Sequence, residues 1–216
     1  MPRPGRSPFE SGSCGASGRF VWAVTAFLDG GTRDMRQGHS RSGVAIHIVQ
    51  GSDWRRYRKI RLAALRDAPS AFALTWQQEA SFATGRWRER ARRSQDGETD
   101  TIVVAVDDAG RWVGLAGGYR PGDRGADAEL ISMWVAPGNR GSGIGRGLVS
   151  AVLSWAEGHG ACTVGLWVNE ANRPAISLYE KAGFRRTGEV EKLPSDPAQQ
   201  EIRMTRAAGR GPPADR

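Results

Sequence analysis

Cysteine is nearly absent from this chain, with Cys14 and Cys162 the only two in 216 residues. One lies in a Gly/Ser stretch and the other opens an apolar run, so no disulfide framework is expected and a reduced, cytoplasmic setting is. Histidine is almost as scarce. His39, His47 and His159 make no cluster with the two cysteines, so no metal site is expected. Apolar runs are short, none nearing the ~18 residues of a membrane span, so no membrane partner is expected. Lysine is rare as well: of 31 basic residues only Lys59, Lys181 and Lys192 are lysines. The net charge of +8 is therefore carried by arginine. Residues 1–42 hold six arginines against Glu10, Asp29 and Asp34, and 206–216 hold three against Asp215. Setting both ends aside leaves +3 on 43–205, a balance that gives no reason to expect a nucleic-acid partner.

The chain is long enough for one domain with a proper core and too short for two comfortable ones. Residues 1–42 are rich in Gly, Ser, Pro and Arg and read as a disordered extension, with 207–216 as a disordered tail. FVWAVTAFL (20–28) is apolar, but no small-residue cleavage site follows it. From 43 the texture changes. VAIHIV (44–49) reads as a strand, and 52–69 as a helix with Ser52 or Asp53 before it and Pro69 after it. One further helical stretch is expected over about 76–93. TIVVAV (101–106) and WVGLAGGY (112–119) flank the turn DDAG as a hairpin. A strand at 129–135, a helix at 143–158, a strand at 162–168 and a short helix at 173–183 follow. FRRTGEVEK and EIRMTR close the chain as a hairpin across the loop LPSDPAQQ. The class is mixed α/β, with a single domain over 43–206.

NRGSGIGRG (139–147) stands where a strand hands over to a helix. Glycine surrenders the most backbone freedom on folding, so a cluster here implies a tight turn or a close approach to the backbone. The dinucleotide fingerprint G-x-G-x-x-G fails, because Arg146 or Leu148 falls on the third glycine. The Walker A pattern also fails, since Ile144 stands where Lys is required. The pattern R-x-x-G-x-G does fit, as Arg140 followed by Gly143 and Gly145. Free N–H groups and the helix dipole favour an anion there, with Arg140 and Arg146 as charged donors.

ELISMWVAPGNRGSGIGRGLVSAVLSWAE and LWVNEANRPAISLYEKAGFRRTGE, in that order, resemble the two signatures of the GNAT-type acyl-CoA-dependent N-acyltransferase superfamily. The close match covers about 129–188. The resemblance implies a twisted, mostly antiparallel sheet of about six to seven strands flanked by about four helices. It implies a splay between the strands at 129–135 and 162–168, in which the pantetheine arm of acetyl-CoA lies. As cofactor-binding positions it implies Met133, Trp134 and Val135 on the strand. In the loop and helix start it implies Arg140, Gly141, Ser142, Gly143, Ile144, Gly145 and Arg146, and beyond them Asn169, Asn172 and Tyr179. It implies N-acetyl transfer to a primary amine of a small molecule or peptide, in a chain for which a homodimer is reasonable. An acyl-CoA-binding sensor without turnover is the alternative.

Acyl transfer to an amine needs a base, an oxyanion donor and an acid for the departing thiolate. Glu129 is the expected base, its other reading being a strand-end surface carboxylate. Tyr179 is the expected acid, its other reading being a partly buried aromatic on an amphipathic helix. Asn172 is a cofactor contact, a helix cap, or both. A backbone N–H exposed by a bulge near Met133–Val135 would serve the oxyanion. Phe72, Trp76 and Trp134 are the expected acceptor-pocket aromatics, against ordinary core packing.

Overall fold

The computed structural model describes residues 43–121 and 126–208; the expectations for 1–42 and 209–216 lie outside the described residues. Seven strands form one sheet in the order β1-β2-β3-β4-β5-β7-β6. They are β1 (Ala45–Ile48), β2 (Asp100–Val106), β3 (Trp112–Tyr119), β4 (Ala128–Val135), β5 (Thr163–Asn169), β6 (Arg185–Leu193) and β7 (Asp196–Ala207). Every pair is antiparallel except β4–β5. A parallel pair needs a crossover, which α4 (Ile144–Gly158) supplies.

The stretch expected as one helix over 76–93 is two. A capping box at Thr75, whose hydroxyl accepts from Gln78 N–H, starts α2 (Trp76–Ala80), and α3 (Thr84–Asp96) begins after a break at Ser81–Ala83. With α1 (Trp54–Asp67) and α5 (Arg173–Lys181), the α-helices described number five rather than about four. The closing hairpin is also tighter than the expected LPSDPAQQ loop, since β7 already starts at Asp196. Pro197 is tolerated there because β5 pairs β7 only from Glu201 onward, and the β6 register shifts between Lys192 and Leu193. The strand also outruns the domain end expected at 206. It reaches Ala207, and Ala208 N–H donates to the Cys162 carbonyl at 2.8 Å.

Two cores lie on opposite faces of the sheet. On one, α4 sets Leu148, Val152 and Ala156 against Val103, Ala116 and Leu130, with Phe184 and Met204 beyond. On the other, α1 and α3 pack Tyr57, Ile60, Leu65 and Trp87 against Val104 and Leu115. The α4 face depends on close approach at β3. A Cβ at Gly118 would lie 2.8 Å from the Trp155 ring and 2.9 Å from Val152. Gly118→Ala is therefore expected to destabilise the chain by about 1–3 kcal/mol through overpacking. Denaturant melts check this, and a variant as stable as wild type would show that α4 can shift freely.

Candidate functional site

Strands β4 and β5 pair only at Ala128–Val164 and Glu129–Gly165, then part. The separation has a cause in β4. Gly117 faces Ile131 but Leu115 faces Trp134, so β4 holds one extra residue, a bulge at Ser132–Met133 opposite Ala116. Ser132 sits at φ 60°, the one non-glycine residue with positive φ among those described. A bulge bends its strand and strengthens the local twist, which carries β4 away from β5. The bulge falls at the start of the window expected for an oxyanion donor.

The gap is a narrow cleft of about 60 Å3, with Ser132 and Met133 on one side, Trp167 and Asn169 on the other, and Asn172 and Tyr179 along α5. On the α1/α3 face lies a cavity of about 610 Å3. Ala71, Leu130, Ile131, Ser132 and Trp167 line both, so cleft and cavity meet at the bulge.

The glycine loop leads into α4. Gly141 (φ 79°) and Gly143 (φ 89°) occupy the left-handed region, where a side chain is strained. Gly143 is the N-cap of α4, and no side chain caps the helix. The first N–H groups of α4 have no partner within the helix. Gly145 is glycine because of close approach, as its Cβ would meet Leu178 at 3.1 Å and Met133 at 3.3 Å. Arg146 is exposed in the first turn, whereas the Ile144 side chain is buried in the core. The Ser142 hydroxyl donates to the Asn139 carbonyl at 2.7 Å and so braces the turn.

Several expected contacts lie elsewhere. Arg140 does not point along the loop: it pairs with Asp67 at the end of α1 and donates to the Val135 carbonyl at 3.0 Å. The Trp134 indole donates to the same Asp67 at 2.8 Å. Its ring is buried with the α1/α3 core and lines neither the cleft nor the cavity. Trp76 lines neither space, and Arg66 stacks on its ring instead. Phe72 does line the cavity, with Arg61 over its ring. Asn169 spends its side chain on protein, donating to Gln199 and the Ser70 carbonyl and accepting from Ala171 N–H. Asn172 caps α5 by accepting from Ala175 N–H, and it also lines the cleft.

Tyr179 is buried at the cleft, edge-on to Phe184. Burial pushes its phenol well above the ordinary tyrosine range, so it keeps its proton at working pH. Glu129 lines the cavity but is not a free carboxylate. Both its oxygens accept from Arg203, at 2.5 and 2.7 Å, with the two residues 5% and 7% exposed. The hydrogen bonds to Glu129 push the Arg203 guanidinium up still further. This geometry favours a clamp across β4, β5 and β7 over the expected base.

Most of the cavity's charge lies on residues with no site signature in the sequence. Arg61 and Arg90 both bond Glu79, which is fully buried. The signal for Arg61 was available. It stands at i+4 from Tyr57 on the apolar stripe of α1, where a charged residue implies a buried partner. Trp167, Glu201 and Arg203 sit on strand faces that alternation alone leaves unassigned.

The GNAT acetyltransferase family model matches residues 62–184. Among curated relatives, mycothiol acetyltransferase of Pseudarthrobacter chlorophenolicus is 29% identical over 157 residues, covering 71% of this chain and 46% of the relative. That of Stackebrandtia nassauensis is 30% identical, covering 78% and 52%. The chain thus spans about half the length of these curated relatives. Phosphinothricin acetyltransferase of Sinorhizobium meliloti, solved with AcCoA, superposes at TM-score 0.62 with 21% identity over 80% of this chain and 92% of its own. The PaiA N-acetyltransferase of Thermoplasma acidophilum, solved with coenzyme A, gives 0.61 with 15% identity over 76% and 99%. These two establish the shared fold, and with the family model over more than half its length the chain belongs to the GNAT family of acetyltransferases.

Proposed function

We propose that this chain transfers an acetyl group from acetyl-CoA to a primary amine by direct attack, with 43–208 as its transferase domain. The observation that carries the proposal is the junction at Ser132, where a narrow cleft, lined in part by the Met133 side chain that packs on Gly145 at the start of α4, meets a cavity large enough for an acceptor. The residues present fit a CoA group. Uncapped N–H groups at Gly143–Arg146, the positive-φ glycines and exposed Arg146 suit a pyrophosphate. The diverging edges of β4 and β5 leave backbone groups for an extended arm. Bound there, the thioester supplies the acyl group. This chain's part is to orient it at the bulge, exclude water with Tyr179 and Met133, and hold a proton at the Tyr179 hydroxyl. The names of the curated relatives put mycothiol-related acceptors first among amines to screen, ahead of peptides.

Thermal unfolding of the full chain with and without acetyl-CoA tests this reading. At 100 times its dissociation constant a ligand adds about 2.7 kcal/mol, worth roughly 5–10 °C at this size. Arg146→Glu, exposed and outside the core, is expected to cut that shift at least by half. Absence of any shift at millimolar acetyl-CoA would overturn the proposal. A shift without thiol release for any amine would favour the sensor reading.

A further inference from the structure

Five carboxylates line the cavity: Glu79, Glu89, Asp100, Glu129 and Glu201. Arginines hold four of them. Arg61 and Arg90 bond Glu79, Arg92 bonds Glu89, Arg93 bonds Asp100, and Arg203 bonds Glu129. Glu201 has no ion pair among the described residues. Its directly opposed neighbour on β6 is Glu191, another carboxylate. Like charges directly opposite on a sheet disfavour folding, and a cation placed beside them reverses the sign. Strand alternation puts Glu201 on the face of Arg203, which reaches Glu129 and lies 5.5 Å from the Trp167 ring. Glu201 lines the cavity and lies directly opposite Asn169, which lines the cleft, so it stands on the side of the cavity where the two spaces meet.

We propose that Glu201, assisted by Glu191, receives the ammonium group of the acceptor and removes its proton. The assignment rests on the transferase reading above. The proton passes from nitrogen to a Glu201 oxygen, and the freed lone pair forms the N–C bond to the acyl carbon. The C–S bond then breaks and the sulfur takes a proton from Tyr179. The second nitrogen proton, released as the amide forms, restores Tyr179, and Glu201 returns its own to solvent. Burial, and then the charge of Glu191, push the Glu201 carboxyl above the ordinary range, which makes it a stronger base than an exposed glutamate. The other charges around it are committed or distant from this role. Arg203 is held by Glu129, and Glu189 on β6 also acts on Arg203. From α1 and α3, Arg61, Arg90 and Arg93 are paired and Arg86 stacks on Phe82, while Tyr57 and Tyr119 are the cavity's phenols.

The test is thiol release by the full chain from acetyl-CoA with ethanolamine, glucosamine, spermidine and glycinamide, across pH 5.5–9.5. Glu201→Gln is expected to lower kcat/KM about 100-fold at pH 7, with the gap closing as pH approaches the amine's own pKa. It should keep the thermal shift with acetyl-CoA, which shows an intact fold and loop. Glu191→Gln is expected to move the acid limb of the profile to lower pH, because the like charge that raises Glu201 is gone. A Glu201→Gln enzyme with the wild-type rate and profile, or a Glu191→Gln profile that does not move, would overturn the assignment alone. A wild-type chain that releases no thiol with any of the four amines, nor with a mycothiol-related amine, would overturn the transferase reading, and this assignment with it.

Discussion

Glu129→Gln is expected to destabilise the chain by about 3–5 kcal/mol, because it leaves the Arg203 guanidinium buried without a compensating charge. At this size that lowers the melting midpoint by roughly 6–20 °C. The guanidinium cannot escape by losing its proton, since arginine stays charged at any working pH. Nor is there another place for it. Gly165, the last β5 residue paired with β4, has no side chain, and the space a Cβ would take is filled by Arg203. Gly165→Ala is expected to destabilise in the same direction. Replacing both partners, with Glu129→Leu and Arg203→Met together, should recover most of the loss, because a buried ion pair exchanged for apolar packing is often neutral. The result also separates two roles. A catalytic base changed to Gln would lose rate and keep its melting point; a clamp loses melting point first. Equal stability of Glu129→Gln and wild type would return Glu129 to the role of base.

The same clamp shows where sequence reasoning reached and where it stopped. The glycine loop and α4 were legible because positive-φ glycines and a helical apolar period are local properties, written within 20 residues. The parting of β4 and β5 was legible only through family resemblance, since pairing between residues some 36 positions apart leaves no local trace. The break at Ser81–Ala83 was missed because both flanking segments favour helix. The direction of Arg140 was missed because its partner Asp67 is 73 residues away, and no spacing rule links them. Trp134 illustrates the cost of one inserted residue. The bulge at Ser132–Met133 shifts the alternation, so Trp134 faces the α1/α3 core as Glu129 does, with Asp67 holding its indole. A strict period of two would have put them on opposite faces. Charge compensation in the cavity was invisible for a related reason. Glu79, Arg90 and Arg93 look like solvated helix residues until α3 is laid beside α1 and β2.

Tyr179→Phe is expected to lower kcat by about 100- to 1000-fold, the size of effect general acids commonly supply, while leaving acetyl-CoA binding and stability close to wild type. Stability should hold because the hydroxyl makes no hydrogen bond among the described residues and the ring keeps its edge contact with Phe184 at a centroid distance of 5.9 Å. Stopped-flow thiol release alongside a thermal scan separates the two readouts. The pH dependence adds a second check, whose direction follows from burial. Because burial raises the folded-state pKa, the phenol binds its proton more tightly in the folded chain than in the unfolded one. Its contribution to stability is therefore complete below about pH 10, where an unfolded tyrosine begins to ionise, and declines above it. Over the range in which the enzyme can be assayed, the group keeps its proton. The rate should then show no alkaline fall from loss of this proton, and the Phe variant should be slow at every pH rather than only at high pH. A Phe variant that matched wild type would mean that the thiolate draws its proton from solvent through the cleft, leaving Tyr179 a packing residue between α5 and Phe184. A variant whose deficit vanished at low pH would mean the same, since solvent acid would then replace the hydroxyl without help from the site.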